Sequence, residues 1–363
     1  MFIKDNEFNI AKLAYVLVTA IALVTILIYT EEYVIPFVVA MIIWFIIHEL
    51  RENIQMIPFM KKHCPMWLQS MIGFFVICLV LVLVIKLLML SMGELTQNVE
   101  DYQINLEIAV FQLSSLLEID VMEQVMEYTS SMDFSGMLST AADYATTLFG
   151  DSFLILIYVL FLLIEESIFP KKLAALYGDT KRYDKTQLLF QKMDKTISRY
   201  LLLKTFVSLV TGLLSYFVLL FFGLDAAIFW AMLIFVLNYI PTVGSLIATL
   251  FPAVFAILQF GEFETFAYVL VFVGLIQVIV GNVLEPKLMG NSLNISSLVV
   301  IISLTVWGAI WGVMGMILSV PITVMMIVLF EEIPSLKFIA VMLSESGQLT
   351  VDAVTEPEAI QAE

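Results

Sequence analysis

Residues 226–260 read AAIFWAMLIFVLNYIPTVGSLIATLFPAVFAILQF, an apolar run of 35 residues without a single charge. About 20 helical residues cross the hydrocarbon core of a bilayer, so this run is too long for one span and is expected to fold back. Its middle supplies the break: Asn238-Tyr239-Ile240-Pro241-Thr242-Val243-Gly244. Pro241 has no amide to donate and Gly244 relaxes the backbone. Both suit a helical hairpin whose tip stops at depth, where irregular main chain is tolerated only beside protein or water. Two short complete crossings joined by a tight turn fit the same pattern. The run from Ser297 to Phe330 has the same excess length and its own break, Trp307-Gly308-Ala309-Ile310-Trp311-Gly312-Val313-Met314-Gly315, with Val320-Pro321 beyond it.

The flanking sequence is of the same kind. Apolar runs extend over Leu13–Tyr29, Tyr33–Ile47 (with Pro36 near its start), Met66 to about Met92, Asp151–Ile164 extended backward over Tyr144–Phe149, Tyr200–Phe222 and Thr265–Leu284. Of the 363 residues 61% are apolar and 14% charged, too little polar surface to solvate a water-soluble body of this size. The mean hydropathy of +1.00 excludes disordered, collagen-like and ordinary cytosolic classes. The expected fold is an all-α polytopic membrane protein of about eight hydrophobic segments, two of them broken. The first span is expected to be retained, because Thr30, Glu31 and Glu32 stand where a small-residue cleavage site would be.

The formal charge of −16 comes mainly from two stretches without Lys or Arg. One, 93–150, holds Glu94, Glu100, Asp101, Glu107, Glu118, Asp120, Glu123, Glu127, Asp133 and Asp143; the other is the tail from Glu345. Nucleic acid is therefore excluded as a partner. Basic residues fall in alternate loops: Arg51, Lys61 and Lys62, then Lys171, Lys172, Lys181, Arg182, Lys185, Lys192, Lys195 and Arg199, then Lys287 and Lys337. Positive-inside bias puts these loops and both termini in the cytoplasm, with Lys86 snorkelling from the third span. The expected organisation is N-terminal spans over 1–92, an extracytoplasmic amphipathic insertion over 93–147, a fourth span over 148–166 and a basic cytoplasmic arm over 167–199. A transport core over 200–333, with broken hairpins 226–260 and 297–330, and a cytoplasmic acidic tail over 334–363, disordered from Glu345 onward, complete it.

Leu95, Val99, Tyr102, Leu106, Ala109, Leu113 and Leu116 recur at alternating spacings of four and three, an apolar seam on one helix face. It calls for a partner: the following stretch Val121–Tyr128, or the same helix in a neighbouring subunit. In the arm, Leu189, Met193 and Ile197 keep helical spacing among basic residues, as a helix beside an anionic leaflet would.

Enzyme signatures are scarce. His48-Glu49 opens like a zinc-protease motif, but Glu52 stands where the second histidine is required. His63 is the only other histidine, and Cys64 and Cys78 the only cysteines, so neither a metal centre nor a disulfide framework is expected. No phosphate-binding loop or nucleophile elbow occurs, and no cofactor is expected. The stronger signal is polar groups at membrane depth, which cost several kcal/mol, roughly, when unpaired. Asn238, Pro241, Thr242, Gly244 and Ser245 form the first break. Gln277 and Asn282 lie on the next span, which Glu285-Pro286-Lys287 terminates. Pro286 ends that helix and leaves last-turn carbonyls free for a cation or solute; a Glu285–Lys287 pair closing a helix end is the plainer alternative. A span followed by a broken element opening outward, then a span followed by one opening inward, is the pattern of an inverted repeat. Both breaks, the second marked by Gly308, Gly312, Gly315 and Pro321, are expected to meet at one passage.

In order and spacing, Asn238 to Gly244, Leu284-Glu285-Pro286-Lys287-Leu288-Met289-Gly290, Trp307-Gly308 through Gly315, and Val320-Pro321 resemble the bacterial autoinducer-2 exporter (AI-2E) family. The match is close over the C-terminal half and extends to the whole chain in layout, while Thr242 and Ser245 depart from the residues often seen there. The resemblance implies a carrier of the bacterial cytoplasmic membrane, a homo-oligomeric assembly and export of small solutes, with some members described as sodium/proton antiporters. The expected function is a secondary transporter exporting a small polar metabolite, not an enzyme. Cation/proton antiport through Glu285 and a non-transporting membrane scaffold are the rivals.

Overall fold

The structure, a computed structural model, describes residues 10–55, 65–117, 134–178, 181–289, 294–345 and 347. The stretch Val121–Tyr128 and most of the acidic tail lie outside the described residues. Everything regular is helical: α1 (Ile10–Tyr29), α2 (Glu31–Gln55), α3 (Met66–Gln97), α4 (Val99–Leu117), α5 (Phe134–Tyr177), α6 (Lys181–Phe221), α7 (Ala227–Leu237) and α8 (Val243–Phe260). Then come α9 (Phe263–Ile279), a π-helical turn (Val280–Leu284), α10 (Glu285–Met289), α11 (Ser297–Glu332) and α12 (Lys337–Leu343). Among the described residues seven helices are long and apolar enough to cross a membrane, as expected of an all-α polytopic protein. In lipid a helix satisfies every backbone group within its own segment, which is why these Leu-, Ile-, Val- and Phe-rich runs have no other option.

The long helices run through the boundaries drawn from the sequence. α5 carries the fourth span on to Tyr177, and α6 carries the basic arm unbroken into the fifth. The arm is thus a helical extension of two spans, turned at Gly178 with φ +60°. At this basic end side chains staple the bundle. Arg51 donates to Glu166, and the His48 ring lies 2.9 Å from both Glu166 and Asp194. These bonds tie α2 to α5 and α6. Lys192 and Lys185 of α6 hold Glu331 and Glu332 of α11 at 2.8 and 3.0 Å.

The opposite, acidic end is organised by α4. Leu95, Tyr102 and Ala109 of the apolar seam are buried; Val121–Tyr128, one of the expected partners, lies outside the described residues. The seam lies on α8, with Tyr102 edge-on to Phe255 at 5.1 Å and Asn105 Nδ2 donating to the Gln259 carbonyl at 2.6 Å. The sequence pattern shows that a face is apolar, not which distant helix will cover it.

The run 226–260 is a hairpin whose two ends meet. Asp225 N donates to Gln259 Oε1 at 2.7 Å, and Gln259 Nε2 donates to the Gly223 carbonyl at 2.9 Å. Its first limb, α7, is 11 residues, about 16 Å of helix, half of what a crossing requires. The second hairpin is folded within α11, where Trp311 (φ −128°, ψ 18°) and Gly312 (φ 59°, ψ −139°) depart from helical geometry. The positive φ is a conformation glycine adopts without steric cost. The limbs return so closely that Gly315 faces the Trp307 carbonyl and Gly308 faces Met316.

Candidate functional site

The first hairpin's tip is held from the side by α6. Asn238 Nδ2 donates to Ser208 Oγ at 3.0 Å, and the hydroxyls of Tyr239 and Thr205 share a hydrogen bond at 2.7 Å. Ser208 lies 13 residues before the end of α6 at Phe221, about 20 Å of helix, so the tip lies well along α6 toward the basic end. Its main chain is tightly wound. Val243 N donates to the Pro241 carbonyl at 2.6 Å, closing a three-residue γ-turn on Thr242, whose φ is 60° and ψ −56°. That turn is the rare, strained form, and a β-branched residue with positive φ is a steric outlier. Gly244 then packs directly on the Leu237 carbonyl, a place where no Cβ fits.

Across from the tip, α9 does not end as an ordinary helix. It widens into the π-turn Val280–Leu284, in which the Glu285 amide donates to the Val280 carbonyl, five residues back. The next amide in that register would reach the carbonyl of Gly281, but the next residue is Pro286, which has none. A π-turn followed by proline thus frees backbone oxygen at one place, and such turns gather at functional sites.

Between tip and π-turn lies a cavity of ≈ 430 Å³. Asn238, Pro241, Thr242 and Ser245 line it from the hairpin, Gln277, Gly281, Asn282 and Glu285 from α9 and its continuation, Tyr200 and Lys204 from α6, and Val300 and Val320 from the two limbs of α11. Asn238 and Gln277 are buried, and the Gln277 Nε2 group has no hydrogen-bond partner. A buried amide donor without a partner is costly; the residue that carries it lines the cavity, while the Nε2 atom itself is buried behind the wall.

The residues singled out from the sequence fare unequally. Asn238, Pro241, Thr242, Ser245, Gln277, Asn282 and Glu285 come together on that wall, and Gly244 supports the tip from behind. Pro286 acts by its missing amide, and Lys287 is exposed and does not close on Glu285. The partner of Glu285 is Lys204, whose Nζ stands 2.6 Å from Oε1, with Lys204 6% and Glu285 25% exposed. Sequence reading passed over Lys204, although it stands a full turn inside the fifth span, where an ionisable residue is itself a signal.

The second break stands apart from the first. Gly308, Gly312 and Gly315 gather at the apex of α11, where Trp311 Nε1 donates to the Leu27 carbonyl at 3.0 Å, two residues from the end of α1. The cavity touches the limbs at Val300 and Val320 instead, the latter eight residues from Gly312, about 12 Å along the helix. The expectation that both breaks meet is thereby corrected. The limbs behind the apex pack Leu304, Met316 and Ile317 into the apolar core that contains the first hairpin, while the apex itself, at Gly312 and Val313, is exposed. Pro321 is buried within the returning limb and breaks nothing.

Comparison with known proteins gives the same answer over nearly the whole chain. The sequence profile of the AI-2E family transporters matches residues 17–335. The AI-2 transport protein TqsA of Escherichia coli is 31% identical over 321 residues, covering 87% of this chain and 91% of the relative. A relative from Haemophilus influenzae, provisionally named a transport protein, is 29% identical over 86% of this chain and 90% of its own. YhhT of Escherichia coli, likewise provisionally named for transport, is 40% identical over 129 residues, 36% of this chain and 37% of its own.

Proposed function

The chain belongs to the AI-2E transporter family, and we propose that it is a secondary transporter exporting a small polar solute, of the autoinducer-2 kind, across the bacterial cytoplasmic membrane. One observation carries this reading: a cavity lined by polar side chains among apolar helices long enough to cross a membrane, built from a hairpin tip and a proline-ended π-turn. The printed name of the Escherichia coli relative supplies the solute class. The basic end, where Arg51, Lys185 and Lys192 lie, is assigned to the cytoplasm by the positive-inside rule, and both termini with it. A homo-oligomer is part of the same reading, by family resemblance.

Glu285 as the carrier of a sodium/proton antiporter is less well supported, because its carboxylate already holds Lys204 at 2.6 Å. A scaffold organised by the outer seam is less well supported too, because the seam is covered by α8. The test uses everted membrane vesicles and labelled autoinducer-2. Vesicles containing the protein should accumulate the label, and Asn282→Leu, which removes an exposed amide from the cavity lining, should cut the initial rate at least about tenfold, one hydrogen bond to a ligand being worth on the order of 1.4 kcal/mol. Accumulation no greater than in vesicles without the protein removes the proposal.

A further inference from the structure

The strongest unabsorbed feature of the site is the ion pair that sequence reading did not foresee. Lys204 comes from α6 and Glu285 from the end of the seventh span, 81 residues later. The two helices belong to the two halves of the repeat, and the pair lies between them on the wall of the cavity. Around Glu285 the chain offers mainly oxygen: its own carboxylate, the carbonyl of Gly281 that Pro286 leaves without a donor, and the side chains of Asn282, Thr242 and Ser245. Unwound helix carbonyls beside a carboxylate are the ligand set by which membrane carriers hold sodium. Into that set α6 inserts an ammonium of the same single charge.

We propose that Lys204 is a tethered counter-cation: its ammonium occupies the position a coupling sodium ion would take at Glu285, so that this site runs without a free cation and acquires a sodium requirement when Lys204 is removed. Charge balance at depth explains why. A carboxylate in a low-dielectric wall must be neutralised, and a covalently attached cation does so in every state of the cycle, whereas a diffusible one must be bound and released. The side chain is 6% exposed, so the ammonium is committed to the pair. The proposal rests on reading this cavity as the transport site, but its test reads ion binding and leaves solute flux as a separate measurement.

The experiment compares the full-length wild type with Lys204→Met, Glu285→Gln and Lys204→Met/Glu285→Gln, purified in detergent at pH 8.5, where protonation competes least with metal binding. Binding of ²²Na⁺ and the melting temperature in sodium chloride against choline chloride at equal ionic strength are recorded. Lys204→Met should gain one saturable sodium site and a sodium-dependent rise of a few degrees in Tm. The double variant, neutral at both positions, should lose both. Wild type should show no sodium site that Glu285→Gln removes. A sodium site in wild type abolished by Glu285→Gln, or a folded Lys204→Met that binds no sodium, overturns the proposal. Should Lys204→Met not fold, the comparison of wild type with Glu285→Gln decides. Loss of autoinducer-2 flux in wild-type proteoliposomes would instead count against the exporter reading alone.

Discussion

Adding one methyl group at Gly244 tests the hairpin tip most directly. A Cβ built there falls on the Leu237 carbonyl and lies 3.0 Å from Ile240 Cβ. Both obstacles belong to the opposing limb, and the worse one is main chain, which cannot swing aside as a side-chain end does. To restore ordinary contact the limbs must part by about 1.5 Å. Overpacking of that kind costs about 1–3 kcal/mol, and the gain of about 0.5–1 kcal/mol from replacing a helical glycine with alanine offsets only part of it. A net loss of about 1–2 kcal/mol should lower Tm by about 2–4 °C. A shift of that size also breaks the 3.0 Å bond from Asn238 to Ser208, so solute flux should fall more than stability does. Gly93→Ala is the internal control. Nothing lies within 4 Å of a Cβ at Gly93, which sits inside α3, so the same methyl should stabilise there by about 0.5–1 kcal/mol. Thermal unfolding of the two variants beside wild type should show opposite signs. A Gly244→Ala protein that melts and transports like wild type would mean that the limbs do not approach as described.

Two further outcomes follow from the same geometry. Thr242→Gly should relieve the strained γ-turn and raise stability by about 1 kcal/mol, the strain being worth about 1–3 kcal/mol and the added chain entropy taking back part; a lower Tm would contradict the turn. Asp225→Ala should free α4 from the hairpin base, since the Asp225 carboxylate accepts from Asn98 at 3.0 Å, Tyr102 at 2.8 Å and Gln259 at 3.1 Å. Losing these bonds should cost about 2 kcal/mol and speed hydrogen exchange across Val99–Leu117, and unchanged exchange there would show the latch to be idle.

What could be read from the sequence was whatever depends on neighbours along the chain. Run lengths against bilayer thickness gave the spans, and excess length with proline or glycine gave both hairpins, including the backbone break at Trp311–Gly312. Polarity at depth gathered seven residues that do share one cavity. What escaped was pairing between distant segments. Glu285 was weighed against Lys287, two residues away, while its partner is 81 residues away on α6. Lys204 was hidden by position, because it follows the basic stretch ending at Arg199 and counts toward the same topological signal. His48 was judged as a metal ligand and set aside; its part in an ionic cluster with Glu166 and Asp194 required knowing that α2, α5 and α6 touch. The contact of the seam on α4 with α8 was not legible for the same reason, as an apolar stripe specifies an area to be covered and not its cover. Tyr102 on that seam carries a consequence too: burial and then the Asp225 carboxylate hold its phenol above the usual range, so it remains a donor in the latch.

The two hairpins, similar in sequence pattern, differ in a way that fixes where the barrier to permeation lies. The first ends in polar side chains beside Lys204 and Glu285, toward the basic end. The second ends in an exposed glycine turn toward the acidic end, near the end of α1. Between the cavity and the acidic end stand Leu237, Ile234, Ala248, Val269, Val273 and Leu304, all buried in one apolar cluster. A solute leaving that way must part these contacts, and a protein interior at crystal-like density opens by switching between packed arrangements and not by gradual swelling. The outer base of the first hairpin is latched by Asp225 and Gln259, the C-terminal end of α11 is tied to α6 by Lys192 and Lys185, and its N-terminal end is held where Ser296 N donates to the Leu343 carbonyl. With both bases fixed, the parts left to move are the limbs of the two hairpins between those bases, whose Leu304, Met316 and Ile317 belong to the same apolar cluster as Ala248 and Leu237. Small residues recur in that cluster, at Ala248, Ala253 and Ala256, and in lipid, where packing and not water expulsion holds helices together, small side chains let apolar faces shift without exposing a polar group.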